Sequence, residues 1–333
     1  MVSTVGFIGL GNMGAPMAAN LVAAGHRVVG FDLVPELLTA ARESGVEAAP
    51  SAARAASDAD VVITMLPEGR HVLALHREQG LLEAARPGTL FVDCSTIDVA
   101  DARAVHETVR TAGHVGLDAP VSGGVVGAEA GTLTFMAGGG TAEFARAEPL
   151  LLAMGKKAVH CGEAGAGQAA KICNNMILGI SMIAVSEAFV LGESLGLSHQ
   201  ALFDVASTAS GQCWALSVNC PVPGPVPGSP ANRDYRPGFA AALMAKDLGL
   251  AANAVRTGGI DAEFGLRAAG RYAEFAADGS GTADFSAIVR SIRERAPQPS
   301  GVSGGSEATE ATEVTEATEV TGAAGGEEQS HDR

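Results

Sequence analysis

The chain is expected to fold as an α/β protein: a doubly wound, mainly parallel sheet over residues 1–163, then an all-α domain over 164–296, joined by a long interdomain helix. Three observations carry this. Short apolar runs alternate with helical patterns through the first 163 residues, as in a parallel sheet with crossover helices. The β patterning then stops. Between the two regions, Gly165 to Leu197 reads as one unbroken helical period.

Val5 to Leu10 is the first buried strand, and Ala15 to Gly25 the helix after it. Between them lies Gly9-Leu10-Gly11-Asn12-Met13-Gly14, a GxGxxG pattern. Gly9 permits a tight turn, Gly11 lets backbone N–H groups approach a pyrophosphate, and Gly14 lets the helix pack on the strand. The helix N-terminus adds positive dipole character for phosphates. His26 to Phe31 is the second strand. It ends at Asp32, eighteen residues past Gly14, where a carboxylate accepts hydrogen bonds from ribose hydroxyls and repels a 2′-phosphate. No arginine follows at Leu33, Val34 or Pro35, which favours NAD over NADP. Asp32 as a plain turn residue or helix cap is the alternative. Phe7, Ile8 and Phe31 are counted with the glycine turn as cofactor contacts.

The alternation continues with a helix over Pro35 to Ser44, a strand over Asp60 to Met65 stopped by Leu66-Pro67, and a helix over His71 to Glu83. Thr89 to Asp93 is a strand leading into Cys94-Ser95-Thr96. Thr96 stands where a hydroxyl can bond a nicotinamide ribose or carboxamide; alternatively Ser95 or Thr96 caps the helix Asp98 to Ala112. Gly116 to Pro120 is another strand end. Ser122-Gly123-Gly124 follows, either a backbone nest for a carboxylate or a plain glycine loop. Leu133 to Ala137 (strand), Glu143 to Leu152 (helix) and Ala158 to Cys161 (short strand) complete the first domain.

The long helix carries apolar or small residues around most of its circumference, so both sides are expected to be buried. Lys171, Asn174 and Asn175 stand at i, i+3 and i+4 on one face. A buried lysine needs an anion to meet it. Lys171 is therefore expected to face the interdomain cleft; a structural ion pair with Glu163 or Glu187 is the alternative. A helix begins at Ser198. Cys213 to Pro237 is too proline-rich for a regular element, and Trp214, Tyr235 and Phe239 suggest that it folds over something apolar. Helices are expected over Phe239 to Thr257, which carries Lys246 and Asp247, over Ala262 to Ala277 and over Asp284 to Glu294.

Beyond Pro297 the repeated EATEVT pattern lacks large apolar residues and is expected to be a disordered acidic tail, residues 297–333. It holds eight of the acidic residues behind a net charge of −15, a balance that argues against nucleic acid or an anionic membrane as partner. The five cysteines are odd in number and lack CxxC spacing, so they read as buried reduced thiols. Histidines show no HxH or HExxH arrangement, and no metal is expected. A strand signal within the first residues argues against a signal peptide, and the polar residues of the long helix argue against a membrane span. A cytoplasmic protein is the expectation.

Four stretches taken together resemble the β-hydroxyacid dehydrogenase family: VGFIGLGNMGAPM from Val5, DAPVSGGV from Asp118, GAGQAAKICNNM from Gly165 and LMAKDLGLAA from Leu243. The resemblance spans roughly residues 4–295, and the segment NCPVPGPVPGSPANRDY is similar to the 3-hydroxyisobutyrate branch. It implies a Rossmann-type first domain and a helical domain used to form a homodimer or homotetramer. By motif match Lys171 is the catalytic general acid/base. Ser122, Gly123, Gly124 and Asn175 bind the carboxylate and hydroxyl region of a small β-hydroxy acid substrate. Asn174 orients it, and Lys246 contacts cofactor or substrate with Asp247 beside it. Met65, Leu66, Pro67, Arg70 and Thr96 line the NAD site.

The implied reaction is NAD-dependent oxidation of 3-hydroxyisobutyrate to methylmalonate semialdehyde, a step of valine catabolism. Reduction of tartronate or succinate semialdehyde is the runner-up, and a non-catalytic dinucleotide-binding protein the reading from another class. Imine-reducing relatives commonly replace the lysine that is present here.

Overall fold

The computed structural model describes residues 2–78 and 80–296. Nine strands form one sheet: β1 (Thr4–Ile8), β2 (Arg27–Phe31), β3 (Glu47–Ala48), β4 (Val61–Thr64), β5 (Leu90–Asp93), β6 (Val115–Asp118), β7 (Val121–Ser122), β8 (Leu133–Gly138) and β9 (Gly155–Gly162). Their order is β3-β2-β1-β4-β5-β6-β8-β7, with β9 beside β8. The first six are mutually parallel; β8 runs antiparallel to β6 and β7. β4, β5 and most of β1 are buried on both faces, which is why they read as continuous apolar runs. Strand order reverses between β1 and β4, and the carboxyl ends of those strands border the crevice where such sheets bind ligands.

Several local expectations shift. The helix expected over His71 to Glu83 is two, Gly69–Glu78 and Leu81–Ala84, because Gly80 turns to a φ of +62°. Asp98, not Ser95 or Thr96, caps Val99–Thr111, accepting from the Ala100 N–H at 2.8 Å. The last strand is longer than the apolar run suggested, because pairing with β8 extends it from Gly155 to Gly162.

The bridging helix runs from Ala166 to Ser194. Its buried stripe holds Gly167, Lys171, Asn175, Gly179, Met182, Ser186 and Phe189, at three- and four-residue steps. The opposite face is open, with Ile177 64% and Leu191 59% exposed, so burial on both sides does not hold within one chain. The helix is long and apolar enough to cross a membrane by length and composition, yet its stripe packs on the sheet and on three helices, Ala241–Gly258, Glu263–Phe275 and Ile288–Arg295. Met182, Phe189, Met244, Leu248, Tyr272 and Phe285 form the core of this second layer.

The proline-rich segment contains two single-turn elements, Trp214–Ser217 and Pro230–Arg233. Buried Asp284 organises its end, accepting from Asn219 Nδ2 (3.3 Å) and from the N–H groups of Gly238 (3.0 Å) and Phe239 (3.1 Å). Tyr235 is buried, its hydroxyl donating to Pro221 O at 2.7 Å. Trp214 is half exposed, against the expectation that it is folded over an apolar partner. All five cysteines are unpaired, but only Cys94 and Cys220 are buried; Cys173 is exposed. The expected acidic tail lies outside the described residues.

Candidate active site

The cofactor edge is built mostly from backbone. Gly9 has a φ of +95°, and a Cβ there would stand 2.2 Å from Met65 O. A Cβ on Gly14 would stand 1.9 Å from Gly9 O, so any side chain would force the helix off the turn. At Gly11 a Cβ would meet nothing within 4 Å, leaving that side of the turn open to a ligand. The helix Gly14–Ala23 has no side-chain cap; its Ala15 N–H is bonded to Gly11 O at 3.0 Å, while the N–H groups of Asn12, Met13 and Gly14 have no partner among the described residues and remain for an anion. This cradle fits a dinucleotide pyrophosphate.

Asp32 accepts from the Leu10 N–H at 2.7 Å through one oxygen and from the Val34 N–H at 2.8 Å through the other. It therefore shapes the turn, and each of its oxygens keeps acceptor capacity beyond these bonds. The side chains of Phe7, Ile8 and Leu10 are buried in the sheet cores, which leaves the backbone of these residues to border the edge. Asn12 is exposed, and Met13 and Phe31 are half-buried at the rim.

Across the crevice, the Leu66 N–H donates to Ser95 Oγ at 2.8 Å, and Pro67 O accepts from Lys246 Nζ at 2.7 Å. Met65, Leu66 and Thr96 are half-buried beside this turn. Arg70 is the outlier. Its guanidinium is exposed and pairs at 2.8 Å with Glu68, the residue after Pro67, an exposed ion pair of little strength.

The lysine pocket is built from side chains. Lys171 is 6% exposed, and its Nζ lies 3.9 Å from Asp247 Oδ2. That oxygen also accepts from Asn175 Nδ2 at 2.5 Å. Neither Glu163 nor Glu187 forms an ion pair with the lysine among the described residues; Asp247, from a helix distant in sequence, takes that place. Burial pulls the Lys171 ammonium below the ordinary lysine range, Asp247 opposes this, and Lys246 adds to the lowering. Burial likewise pushes the Asp247 carboxyl up, with Lys171, Lys246 and Asn175 pulling it back. Both shifts favour the neutral forms, so desolvation outweighs mutual attraction across this gap. Lys246 is also lowered, mainly by burial.

Asn174 is exposed and donates to Asn175 Oδ1 at 3.0 Å, so of the expected triplet only Lys171 and Asn175 share the buried face. Gly123 (φ +138°) and Gly124 (φ +63°) follow Ser122 at the end of β7. A Cβ on Gly124 would stand 2.8 Å from Gly238 O, which places this nest against the end of the proline-rich segment.

Two functional links escaped the sequence reading. Asp118 accepts from the Gly165 N–H (2.7 Å) and the Gln168 N–H (2.8 Å), fastening the bridging helix to the end of β6. Gln168 donates to Ser95 O at 2.7 Å and accepts from the Ile97 N–H at 3.1 Å. The signal was present: Asp93 and Asp118 each end an apolar strand and stand in register on β5 and β6. Among the described residues no group of three or more His, Cys, Asp or Glu side chains is placed to hold a metal ion.

Two family models match, the NAD-binding domain of 6-phosphogluconate dehydrogenase over residues 4–162 and the NAD-binding domain of NADP-dependent 3-hydroxyisobutyrate dehydrogenase over residues 165–292. The probable 3-hydroxyisobutyrate dehydrogenase of Mycobacterium tuberculosis is 57% identical over 295 residues, covering 89% of this chain and 99% of that protein. The chain belongs to the β-hydroxyacid dehydrogenase family. It is an NAD-dependent dehydrogenase of that family, of the 3-hydroxyisobutyrate type.

The solved M. tuberculosis 3-hydroxyisobutyrate dehydrogenase with L-serine superposes with a TM-score of 0.85 at 57% identity, covering 88% of this chain and 100% of that one. An NAD-dependent L-serine dehydrogenase of Pseudomonas aeruginosa is 46% identical over 287 residues, 86% of this chain and 96% of that protein.

Proposed function

We propose that this chain oxidises 3-hydroxyisobutyrate to methylmalonate semialdehyde as a step of valine catabolism, with Lys171 as general acid/base. The observation that carries the reading is the buried Lys171 amine, 3.9 Å from Asp247, its one ion-pair partner among the described residues, and so beyond hydrogen-bond distance of a counter-ion there. When bound, NAD accepts the hydride from the alcohol carbon. A neutral Lys171 takes the hydroxyl proton in that direction; as an ammonium it returns it to the forming alkoxide and stabilises its charge. Asn175, held by Asp247, orients the hydroxyl region. Ser122, Gly123 and Gly124 receive the carboxylate. Asp247 acts here through Lys171 and Asn175, the groups its buried carboxylate meets. Lys246 ties the helical layer to the Leu66–Pro67 turn. Asp32 sets the preference for NAD over NADP.

L-serine is a second reading, motivated by the serine dehydrogenase relative and by the structure solved with L-serine. Serine and 3-hydroxyisobutyrate are both 2-substituted 3-hydroxypropanoates, and differ by an ammonium in place of a methyl. The positive charge of Lys246 beside the lysine pocket disfavours the extra ammonium. NADH formation followed with a panel of small β-hydroxy acids tests this. The highest kcat/KM is expected for 3-hydroxyisobutyrate, with serine lower; the reverse order would move the substrate to serine, and no turnover of any would leave only dinucleotide binding.

A homodimer or homotetramer completes the reading. Ile177, Leu191, Leu195, Val205, Ile260 and Phe264 are all more than half exposed on the helical layer, an apolar surface suited to a second copy. The unpaired thiols suit the reducing cytoplasm.

A further inference from the structure

Asp93 is fully buried at the end of β5, and the reaction described above gives it no part. Its Oδ1 accepts three hydrogen bonds, from Thr64 Oγ1 (2.7 Å), Ser95 Oγ (2.6 Å) and the Ser95 N–H (3.2 Å). Its Oδ2 is buried and has no partner among the protein atoms. Beside it lies a partly enclosed cavity of about 10 Å³, lined in part by Asp93, Phe91, His76, His106, Gly116 and Asp118. His106 Nε2 is a second buried atom without a hydrogen bond; it lies 3.3 Å from Asp118 Oδ1, but not in hydrogen-bond geometry. A space of this size holds about one water, and two of the residues that line it, Asp93 and His106, each carry a buried polar atom without a partner, as such a water requires. Ser95 in turn meets both halves of the site. Its Oγ accepts from the Leu66 N–H, and its carbonyl accepts from Gln168, one turn before Lys171.

We propose that Asp93 is a positioning residue: through Ser95 it holds the Leu66–Pro67 turn and the start of the lysine-bearing helix in register, and one water bridges its free oxygen to His106.

Three donors on one oxygen suit the carboxylate anion, since hydrogen bonds to an ionised acceptor are the stronger ones. Burial pushes the Asp93 carboxyl up to about 6, with Asp118 raising it further and Ser95 and Thr64 drawing it down. The other titratable groups facing it are His106 and His76 across the cavity, neighbouring Cys94, and Lys246 from the helical layer. A raised carboxyl gives up its proton as pH climbs through its pKa. Burial by itself favours the neutral acid, but above about pH 6 the ionised carboxylate makes its hydrogen bonds from Thr64 and Ser95 charge-assisted, and Ser95, with the Leu66–Pro67 turn, is held more firmly there.

NADH binding by fluorescence titration between pH 5 and 8 tests this on the full chain, with folding checked by thermal melting. Wild-type affinity is expected to rise with pH through the region of 6. Asp93→Asn keeps an acceptor on Thr64 and Ser95 but cannot ionise, so its affinity should be flat with pH and about tenfold weaker at pH 7.5. Ser95→Ala leaves the carboxylate but cuts its link to Leu66; the same weakening and the same loss of pH dependence are expected. An Asp93→Asn variant with the wild-type pH profile, or a folded Ser95→Ala variant binding as tightly as wild type, would overturn the assignment. A crystal structure lacking water between Asp93 and His106 would overturn the bridge. The inference depends on the cofactor alone. A chain with this binding profile that turned over no β-hydroxy acid would sink the substrate reading and leave this one standing.

Discussion

The two sides of the crevice are built from different materials. The cofactor edge consists of glycines, free amides and a helix start, with Asp32 bonded to two backbone N–H groups. The lysine pocket consists of side chains taken out of water: Lys171, Asp247 and Asn175, brought together from two helices more than seventy residues apart. Backbone construction is intolerant of an added Cβ at Gly9 and Gly14, and it carries no titrating group of its own beyond Asp32, answering to pH only through the Asp93–Ser95 support. Side-chain construction tolerates small changes of shape and responds to every change of charge. The difference shows where each half of the site is vulnerable.

The largest effect should come from the pocket. Lys171→Ala is expected to lower kcat by at least ~100-fold while NADH affinity in a fluorescence titration stays within about twofold; activity near wild type would remove the lysine from the chemistry. Next comes the edge. Gly14→Ala places a methyl 1.9 Å from Gly9 O and should cost NADH affinity more than about tenfold or prevent folding. A well-folded variant with normal affinity would show that the turn adapts.

Asp32→Ala should narrow the preference for NAD over NADP by about tenfold, measured as the ratio of kcat/KM values. An unchanged ratio would confine Asp32 to shaping the turn. The smallest effect is a displacement rather than a loss. Oxidation by a neutral amine speeds up as pH rises through the Lys171 pKa. Asp247 holds that pKa up against burial, so Asp247→Asn should move the rise in kcat to lower pH. A rise moved to higher pH would mean that Asp247 does not act on the lysine through its charge.

The same contrast explains what could be read in advance. The glycine turn, Asp32 and the alternating strands are local in sequence, so spacing and periodicity expose them; even the collision of Gly14 with Gly9 lies within one turn. Lys171 stood out because a lysine in an apolar helical stripe demands a partner. Its partner was not legible from neighbouring positions, and the nearby glutamates Glu163 and Glu187 were the wrong ones. Trp214 misled for a related reason: an aromatic residue in a proline-rich segment has no periodicity to say which way it faces, and it is half exposed. Asp93 and Asp118 were visible as strand-ending carboxylates, but their work is done on Ser95, Leu66 and the bridging helix, across long separations in the chain.

By itself the sequence determined the sheet, the dinucleotide turn, the long helix and the presence of one lysine, Lys171, in its apolar stripe. These follow from period, glycine placement and the cost of burying charge, all of which act over a few residues. Only the tertiary structure decided that Asp247 and not a glutamate faces Lys171, that Lys246 reaches Pro67, and that Ser95 ties the two halves together. Those contacts are set by which strands and helices pack side by side, and desolvation then fixes the charge each group carries.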